Sequence, residues 1–283
     1  MIKTYYLLTK PGIIMGNLIT TAGGFALASK GHFDPWLFLA MMIGLGSVIA
    51  SACVFNNYID RAADAKMART KNRPLAKGTI APWKAIVFAI IVGVFGILFL
   101  SYFTNYLAAS IAALGFFIYA GLYSLWKSRS MHATLVGSIS GAIPPVVGYC
   151  TVSHSLDAGA FLLFAILVLW QMPHFFSIAL YRRDEYAAAS IPVLPNMRGS
   201  LATKIQMLLY VIAFTGATAM LMIFGYVGIS FFVVSSVLSA AWLYLSVKGF
   251  KAENDRLWAR SMFRLSLVII TTLCLMISVD TVY

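Results

Sequence analysis

Three polar side chains recur at helical spacing in one stretch of the chain, NNYIDRAADAKMARTKNRPL, residues 56–75. Asn56, Asp60 and Asp64 stand at positions i, i+4 and i+8, so a helix places all three on one face. Two carboxylates and an amide on one stripe supply the oxygen ligands that a hard divalent cation prefers. The spacing therefore predicts a metal site here, with these three residues as its ligands.

Basic residues follow the acidic stripe directly. They are Lys66, Arg69, Lys71 and Arg73. Such side chains bind phosphate oxygens through charge-assisted hydrogen bonds, so a metal beside them indicates a diphosphate site. A solvated helix end with ordinary ion pairs is the simpler alternative. We disfavour it because carboxylates stacked beside a membrane span are costly without a ligand.

A second charged segment, WQMPHFFSIALYRRDEYAAASIPVLP at residues 170–195, carries two further carboxylates. Asp184 and Glu185 are predicted as a second group that faces the metal. The expected phosphate partners are Arg182 and Arg183, joined by Lys127 and Arg129 from before the fifth apolar run. An ordinary charged helix end is the alternative interpretation of this segment.

Prolines within two apolar runs are expected to shape a cavity. Pro173 is expected to break or bend one run, and His174 lies beside it among apolar residues. Pro144 and Pro145 must kink another run near mid-membrane, where small residues also let helices approach closely. The alternatives are helix packing alone and, for the histidine, a packed and hydrogen-bonded residue.

The elements that must position these side chains are membrane spans. The chain of 283 residues is 61% hydrophobic and only 11% charged, whereas soluble domains are about a quarter charged. Apolar stretches of about 20 residues predict nine spans in one integral membrane domain, residues 1–283. Their approximate ranges are 12–30, 36–56, 83–101, 106–125, 133–151, 159–180, 206–225, 228–247 and 263–282.

The basic residues predict the orientation of these spans. With the N-terminus in the cytoplasm, all of the 21 lysines and arginines except Lys30 fall on the cytoplasmic side. The acidic stripe then faces the cytoplasm and the C-terminus lies outside. The net charge of +12 is accordingly interpreted as membrane topology and not as nucleic-acid binding. No cleavable signal peptide is expected at MIKTYYLLTKPG.

The motif NNYIDRAAD followed by KMARTKNRPL resembles the Asn/Asp-rich first motif of the UbiA superfamily of intramembrane prenyltransferases. Three further segments are similar to the heme-farnesylating branch of that superfamily. They are KPGIIMGNLITTAGGFALAS, KSRSMHATLVGSISGAIPPVVGY and WQMPHFFSIALYRRDEYAAASIPVLP. The resemblance covers nearly the entire chain. It implies an all-α fold of nine transmembrane helices around one cavity, open to the cytoplasm and laterally to lipid.

The resemblance also implies an activity: transfer of a farnesyl group from farnesyl diphosphate to a vinyl group of heme B, with addition of water, giving heme O. It implies Mg²⁺ as cofactor on Asn56, Asp60 and Asp64, and a second motif at 181–185. His174 is the candidate for contacting heme, as axial ligand or propionate partner. A bacterial inner membrane is the implied location, with a heme A synthase or terminal oxidase as an expected partner.

Two positions depart from the family pattern. Asn57 stands where the first motif often has aspartate. Tyr181 and Glu185 stand where the second motif usually has two aspartates four residues apart. The heme-farnesylating branch tends to have Asp-Tyr where this chain has Glu185-Tyr186, which conserves the charge. The choice between Asp184 and Glu185 as the metal-facing carboxylate is therefore left open.

Two other functions are kept as alternatives. An aromatic acceptor, as in quinone biosynthesis, is disfavoured by the segments HFFSIALYRRDEYAAASIPVLP and GAIPPVVG. A transporter with broken helices is a different class of protein. It is disfavoured because the two halves show no repeat beyond the two acidic loops, and because the charges cluster at one membrane face.

Overall fold

The computed structural model describes residues 2–282, which form a bundle of helices. In chain order the helices are α1 (Ile2–Leu8), α2 (Pro11–Ser29), α3 (Pro35–Asp64), α4 (Pro82–Phe103), α5 (Tyr106–Phe116), a π-helix (Phe117–Tyr123), α6 (Ser124–Trp126), α7 (Ala133–Gly141), α8 (Ile143–Ser153), α9 (Ala158–Tyr181), α10 (Arg183–Ala188), α11 (Leu194–Ile223), α12 (Ile229–Lys248), a 3₁₀ turn (Gly249–Lys251) and α13 (Asp255–Val279).

Within the described residues, nine helical segments are long and apolar enough to cross a membrane. They are Pro11–Ser29, Pro35–Asp64, Pro82–Phe103, Tyr106–Trp126, Ala133–Ser153, Ala158–Tyr181, Leu194–Ile223, Ile229–Lys251 and Asp255–Val279. The nine predicted spans are thus confirmed, although several ends differ. α3 continues to Asp64, so the whole acidic stripe is helical, and α11 begins early, across a kink at Gly199 with φ 81°.

Short polar side chains start several of these helices. Asp34 Oδ1 accepts the backbone N–H groups of Trp36 and Leu37 at 2.9 and 3.0 Å, which caps α3. Asp157 caps α9 in the same way, and Asn254 caps α13. A side-chain acceptor there satisfies backbone donors that have no partner within the helix. These caps fix where α3, α9 and α13 begin.

The proline predictions have different outcomes. The fifth span is interrupted at Ala142, between α7 and α8, because Pro144 and Pro145 have no backbone N–H to continue the helix. α9 runs as one helix through Pro173, so of the two expected outcomes, a break or a bend, the break does not occur. The close helix approach expected around the fifth span is confirmed where α2 meets α8. A Cβ placed on Gly24 would lie 2.0 Å from the Pro145 carbonyl oxygen.

The charged segments meet at one end of the bundle, which we call the basic end. Lys10 precedes α2, the segment 65–81 links α3 to α4, and the segment 127–132 follows α6. The turn around Arg182, between α9 and α10, lies at the same end. Residues from all four segments line one cavity. Four segments that are far apart in the sequence therefore meet at a single location.

Candidate active site

Two cavities adjoin inside the bundle. The polar chamber, about 400 Å³, lies at the basic end. The apolar chamber, about 460 Å³, is lined mainly by side chains from within the spans. Ile13, Tyr119, Tyr123 and Phe175 line both chambers, so these four side chains mark the junction. The arrangement suits an amphiphilic molecule with a charged head and a long hydrocarbon tail.

The predicted acidic stripe lines the polar chamber. Asn56, Asp60 and Asp64 are 2%, 5% and 2% exposed. Each contacts one basic side chain: Lys10 donates to the Asn56 Oδ1, Lys127 forms an ion pair with Asp60, and Arg73 donates to Asp64 Oδ2 at 2.8 Å. Buried carboxylates are stable only when they are paired in this way. The stripe is therefore a set of charges that are already desolvated and neutralised.

The donor set of the stripe fits Mg²⁺. Among residues 2–282, no group of three or more His, Cys, Asp or Glu side chains is placed to hold a metal ion. Mg²⁺ is usually held by one or two carboxylates together with substrate phosphates and water. Asp60, Asp64 and the Asn56 amide supply oxygens of this kind. The surrounding cations supply partners for a phosphate ligand.

Half of the predicted phosphate partners line the polar chamber. Those that line it are Arg69, Arg73, Lys127 and Arg182. Those that do not are Lys66, Lys71, Arg129 and Arg183, and all four are exposed to solvent. The structure thus separates four basic residues that line the chamber from four that do not, a distinction that residue spacing alone does not make.

Asp184 and Glu185, the two carboxylates predicted to face the metal, lie outside the lining of the polar chamber. α9 ends at Tyr181, and Arg182, with φ −113°, starts the separate helix α10. This change of direction leaves Asp184 exposed on an outer surface. Glu185 instead accepts a hydrogen bond from Arg182 at 2.8 Å. The second motif contributes Tyr181, Arg182 and Tyr186 to the chamber wall, and neither carboxylate lines it.

Lys10 is a chamber residue that the sequence analysis did not single out. It lies in a left-handed conformation, with φ 53°, directly before Pro11 at the start of α2. Burial lowers the pKa of Lys10 to about 8, and the positive charges of Arg73 and Lys127 act in the same direction. Burial also raises the pKa of Tyr186. The sequence did offer a signal for Lys10. This lysine precedes the first span and lies on the side of the membrane that is predicted for the acidic stripe.

A π-helix places two tyrosines at the junction of the chambers. Tyr119 and Tyr123 stack with ring centroids 5.4 Å apart and an interplanar angle of 22°. Ser124 donates to the Tyr119 carbonyl at 2.8 Å, and Asn56 donates to Ser124 Oγ at 2.8 Å. Single π-turns occur often at functional sites. Hydropathy predicts a span here but carries no signal for the widened turn.

His174 lines the apolar chamber and not the polar one. Its ring stacks on Trp170, with centroids 4.7 Å apart, and packs against Phe263 at 4.9 Å. Its Nδ1 lies 2.8 Å from Ser266 Oγ. His174 is therefore both packed and hydrogen-bonded, as the simpler interpretation of a buried histidine required. Its ring is also part of the wall of the apolar chamber.

Sequence comparison assigns the class. The family model described as the UbiA prenyltransferase family matches residues 17–268. The chain therefore belongs to the UbiA prenyltransferase family, and it is a prenyltransferase with several membrane spans.

Curated relatives match the chain over its full length. A protein of Protochlamydia amoebophila (strain UWE25) named protoheme IX farnesyltransferase is 52% identical over 282 residues, covering 100% of both chains. A protein of Edwardsiella ictaluri (strain 93-146) with the same name is 51% identical over 281 residues, covering 99% of this chain and 95% of the relative.

Solved structures agree in fold at much lower identity. A structure described as digeranylgeranylglyceryl phosphate synthase superposes with a TM-score of 0.82 at 18% identity, covering 98% of this chain and 97% of that one. A UbiA homologue from Archaeoglobus fulgidus bound to GPP and Mg²⁺ gives a TM-score of 0.71 at 13% identity, covering 98% and 99%. These likenesses establish the UbiA fold.

Proposed function

We propose that the protein transfers the farnesyl group of farnesyl diphosphate to a vinyl group of heme B, with addition of water, to give heme O. The observation that carries the proposal is the junction of the two chambers, where the cationic polar chamber adjoins the apolar one. The name of the full-length relatives supports heme as acceptor. The UbiA homologue bound to GPP and Mg²⁺ supports an isoprenyl diphosphate as donor.

The polar chamber is proposed to hold the diphosphate. Arg69, Arg73, Lys127 and Arg182 reach its wall, together with Lys10. Charged donors that are fixed before the reaction stabilise the negative charge that develops on the leaving diphosphate. Glu185 is proposed to orient Arg182 through their 2.8 Å contact. Asp184 is given no role, because it is exposed outside the chamber.

Asp60 and Asp64 are the proposed ligands of Mg²⁺, with Asn56 orienting the carboxylates or completing the ligand set. When bound, Mg²⁺ supplies Lewis-acid neutralisation of the diphosphate charge. The protein side chains must also change partners, because Asp60 and Asp64 are paired with Lys127 and Arg73 in this structure. Both basic residues line the same chamber, so they are available to the phosphate oxygens after that exchange.

The proposed chemistry then proceeds at the junction. The bond between C1 of the farnesyl group and the phosphate oxygen breaks, and its electron pair leaves with the diphosphate. The π electrons of the heme vinyl group form a new carbon–carbon bond to the allylic cation. Water adds to the resulting cation beside the porphyrin and loses a proton, leaving a hydroxyl group. The apolar walls exclude other water from the allylic cation.

His174 is the proposed heme contact, as an axial ligand of iron or a partner of a propionate. Heme would then occupy the apolar chamber, with the reacting vinyl group toward Tyr119 and Tyr123.

By the distribution of basic residues, the basic end is proposed to face the cytoplasm of a bacterial cell and the membrane to be the inner one. A heme A synthase or a terminal oxidase is the proposed recipient of the product.

Purified protein with heme B, farnesyl diphosphate and Mg²⁺ tests the proposal by product mass. A heme product heavier by one farnesyl group plus water supports it. Prenylation of a hydroxybenzoate or naphthoate without any heme product would overturn the acceptor. Uptake of substrate into vesicles without diphosphate release would indicate a transporter. His174→Ala should lower both heme affinity and turnover, and unchanged values would remove His174 from the site.

A further inference from the structure

A buried serine of the last span contacts the histidine that lines the apolar chamber. Ser266 lies on α13 and is fully buried. Its Oγ is 2.8 Å from His174 Nδ1, and its backbone carbonyl accepts the indole N–H of Trp170 at 2.8 Å. Trp170 and His174 are one turn apart on α9. One residue of α13 therefore fixes two neighbouring side chains of the chamber wall.

We infer that Ser266 is a positioning residue, which holds His174 as the neutral tautomer protonated at Nδ1, so that the free lone pair of Nε2 is presented to a metalloporphyrin in the apolar chamber. The identity of the ligand rests on the proposed function. The tautomer does not, because it follows from the contacts of residues 170–174 and 263–266.

The position of the protons follows from the distances. Ser266 Oγ also lies 2.7 Å from the carbonyl oxygen of Phe263. Two oxygen atoms this close require a hydrogen between them, and the carbonyl has none, so the serine hydroxyl donates to Phe263. The hydroxyl has only one hydrogen. His174 Nδ1 must therefore carry a hydrogen and donate it to Ser266 Oγ, since the other tautomer would leave one of the two contacts without a proton.

The ring is also held in its orientation. Trp170 stacks on His174 at an interplanar angle of 24°, and Phe263 packs against the ring at 35°. A half-turn of the imidazole would keep both aromatic contacts but lose the bond to Ser266, and a smaller rotation would also disturb the stacking. His174 lines the apolar chamber, whereas Ser266 does not. The ring nitrogen that is bonded to Ser266 is thus turned away from the chamber, and Nε2 is the nitrogen left for a ligand.

A neutral imidazole whose second nitrogen donates to a fixed acceptor is the usual state of a histidine that binds a metal ion. Such a partner sets the ring orientation and increases the basicity of the ligand nitrogen. Heme iron accepts a histidine as its axial ligand. A propionate would need a protonated nitrogen as a hydrogen-bond donor. The tautomer held by Ser266 offers a lone pair at Nε2 instead, so it favours the iron over a propionate.

Nitrogen NMR of the full-length protein tests the tautomer without any heme. His32, His132 and His154 are exposed and can be replaced, which leaves His174 as the only labelled histidine. The expected spectrum shows a protonated Nδ1 and an unprotonated Nε2. A protonated Nε2 would overturn the inference, whatever the enzyme does with heme.

Titration with ferric heme B tests the ligand role. Ser266→Ala should weaken heme binding about 10- to 100-fold and alter the Soret band and the electron paramagnetic resonance signal of the ligated iron. Ser266→Thr, which keeps the hydroxyl, should retain most of the affinity. Ser261→Ala removes an exposed hydroxyl from the same helix and is the matched control.

The two failures are distinguishable. If the wild-type protein has the Nδ1 tautomer but binds no heme, the proposed acceptor is wrong and the ligand assignment falls with it. If heme binds and Ser266→Ala leaves affinity and spectra unchanged, the positioning role is wrong while the proposed function stands. The wild-type NMR spectrum decides the tautomer even if the alanine variant fails to fold.

Discussion

Asn56 Nδ2 donates a 2.8 Å hydrogen bond to Ser124 Oγ, which joins the helix of the acidic stripe to the end of the π-helix. The same amide accepts a hydrogen bond from Lys10 through Oδ1. Asn56 therefore bridges α3, α6 and the segment before α2. An amide, with one acceptor and one donor end, can satisfy both contacts, whereas a carboxylate cannot donate.

Ser124→Ala should lower stability and activity together. The substitution leaves the Asn56 amide without its acceptor, which costs about 1–3 kcal/mol when the donor is buried. We expect a lower melting temperature in detergent and a several-fold loss of kcat/KM. Ser128→Ala, at an exposed position in the following turn, is the control. Equal behaviour of the two variants would show that the bridge has no effect on the site.

Asp60→Asn should reduce turnover by at least about 100-fold, because it removes a charge proposed to hold the metal at the diphosphate. Asp184→Asn is the matched control and should retain activity within about threefold, since that carboxylate is exposed and makes little contact. The measurement is kcat at saturating Mg²⁺. Loss of activity in the Asp184 variant would restore that residue to the metal site.

Arg182→Ala should raise KM for the isoprenyl diphosphate about 10- to 100-fold, because a hydrogen bond to a charged group contributes about 1.5–3 kcal/mol. Arg183→Ala should change it little, since the neighbouring arginine is exposed and does not line the chamber. Steady-state kinetics with varied diphosphate compare the pair. A larger effect at position 183 would contradict the assigned chamber wall.

Removal of divalent metal should stop diphosphate release and leave the helical fold intact. The two carboxylates of the stripe already have ion-pair partners, so the bundle does not depend on a metal for their neutralisation. Circular dichroism in EDTA should match the untreated protein, and added Mg²⁺ should restore turnover. Asp64→Asn should require more Mg²⁺ for half-maximal activity. Metal-independent turnover would exclude the proposed cofactor.

Gly24→Ala should destabilise the bundle, because the new methyl group would lie 2.0 Å from the carbonyl oxygen of Pro145. Overpacking of this kind costs about 1–3 kcal/mol and more when backbone must move. Gly216→Ala is the control, since nothing lies within 4 Å of a Cβ there. Thermal unfolding in one detergent compares the two. Similar melting temperatures would mean that α2 and α8 can move apart without a loss of stability.

Sequence reasoning succeeded where the signal is local. Runs of apolar residues predict spans, and the i, i+4, i+8 spacing predicts the face shared by Asn56, Asp60 and Asp64. It failed where distant segments decide the outcome. Lys127 reaches Asp60 across 67 positions, and no local pattern predicts that pair. The turn at Arg182 leaves Asp184 and Glu185 outside the chamber lining, and no local pattern predicts that turn.

The ion pairs of the polar chamber have a consequence for the rate of substrate capture. Asp60 and Asp64 are stripped of bulk water when the protein folds, because Lys127 and Arg73 occupy the places that solvent would otherwise take. If the proposed magnesium diphosphate binds here, it exchanges one counter-ion for another, and no bare carboxylate has to be dehydrated. Recognition at the basic end then amounts to an exchange of salt partners, in which lysine and arginine move from an aspartate to a phosphate.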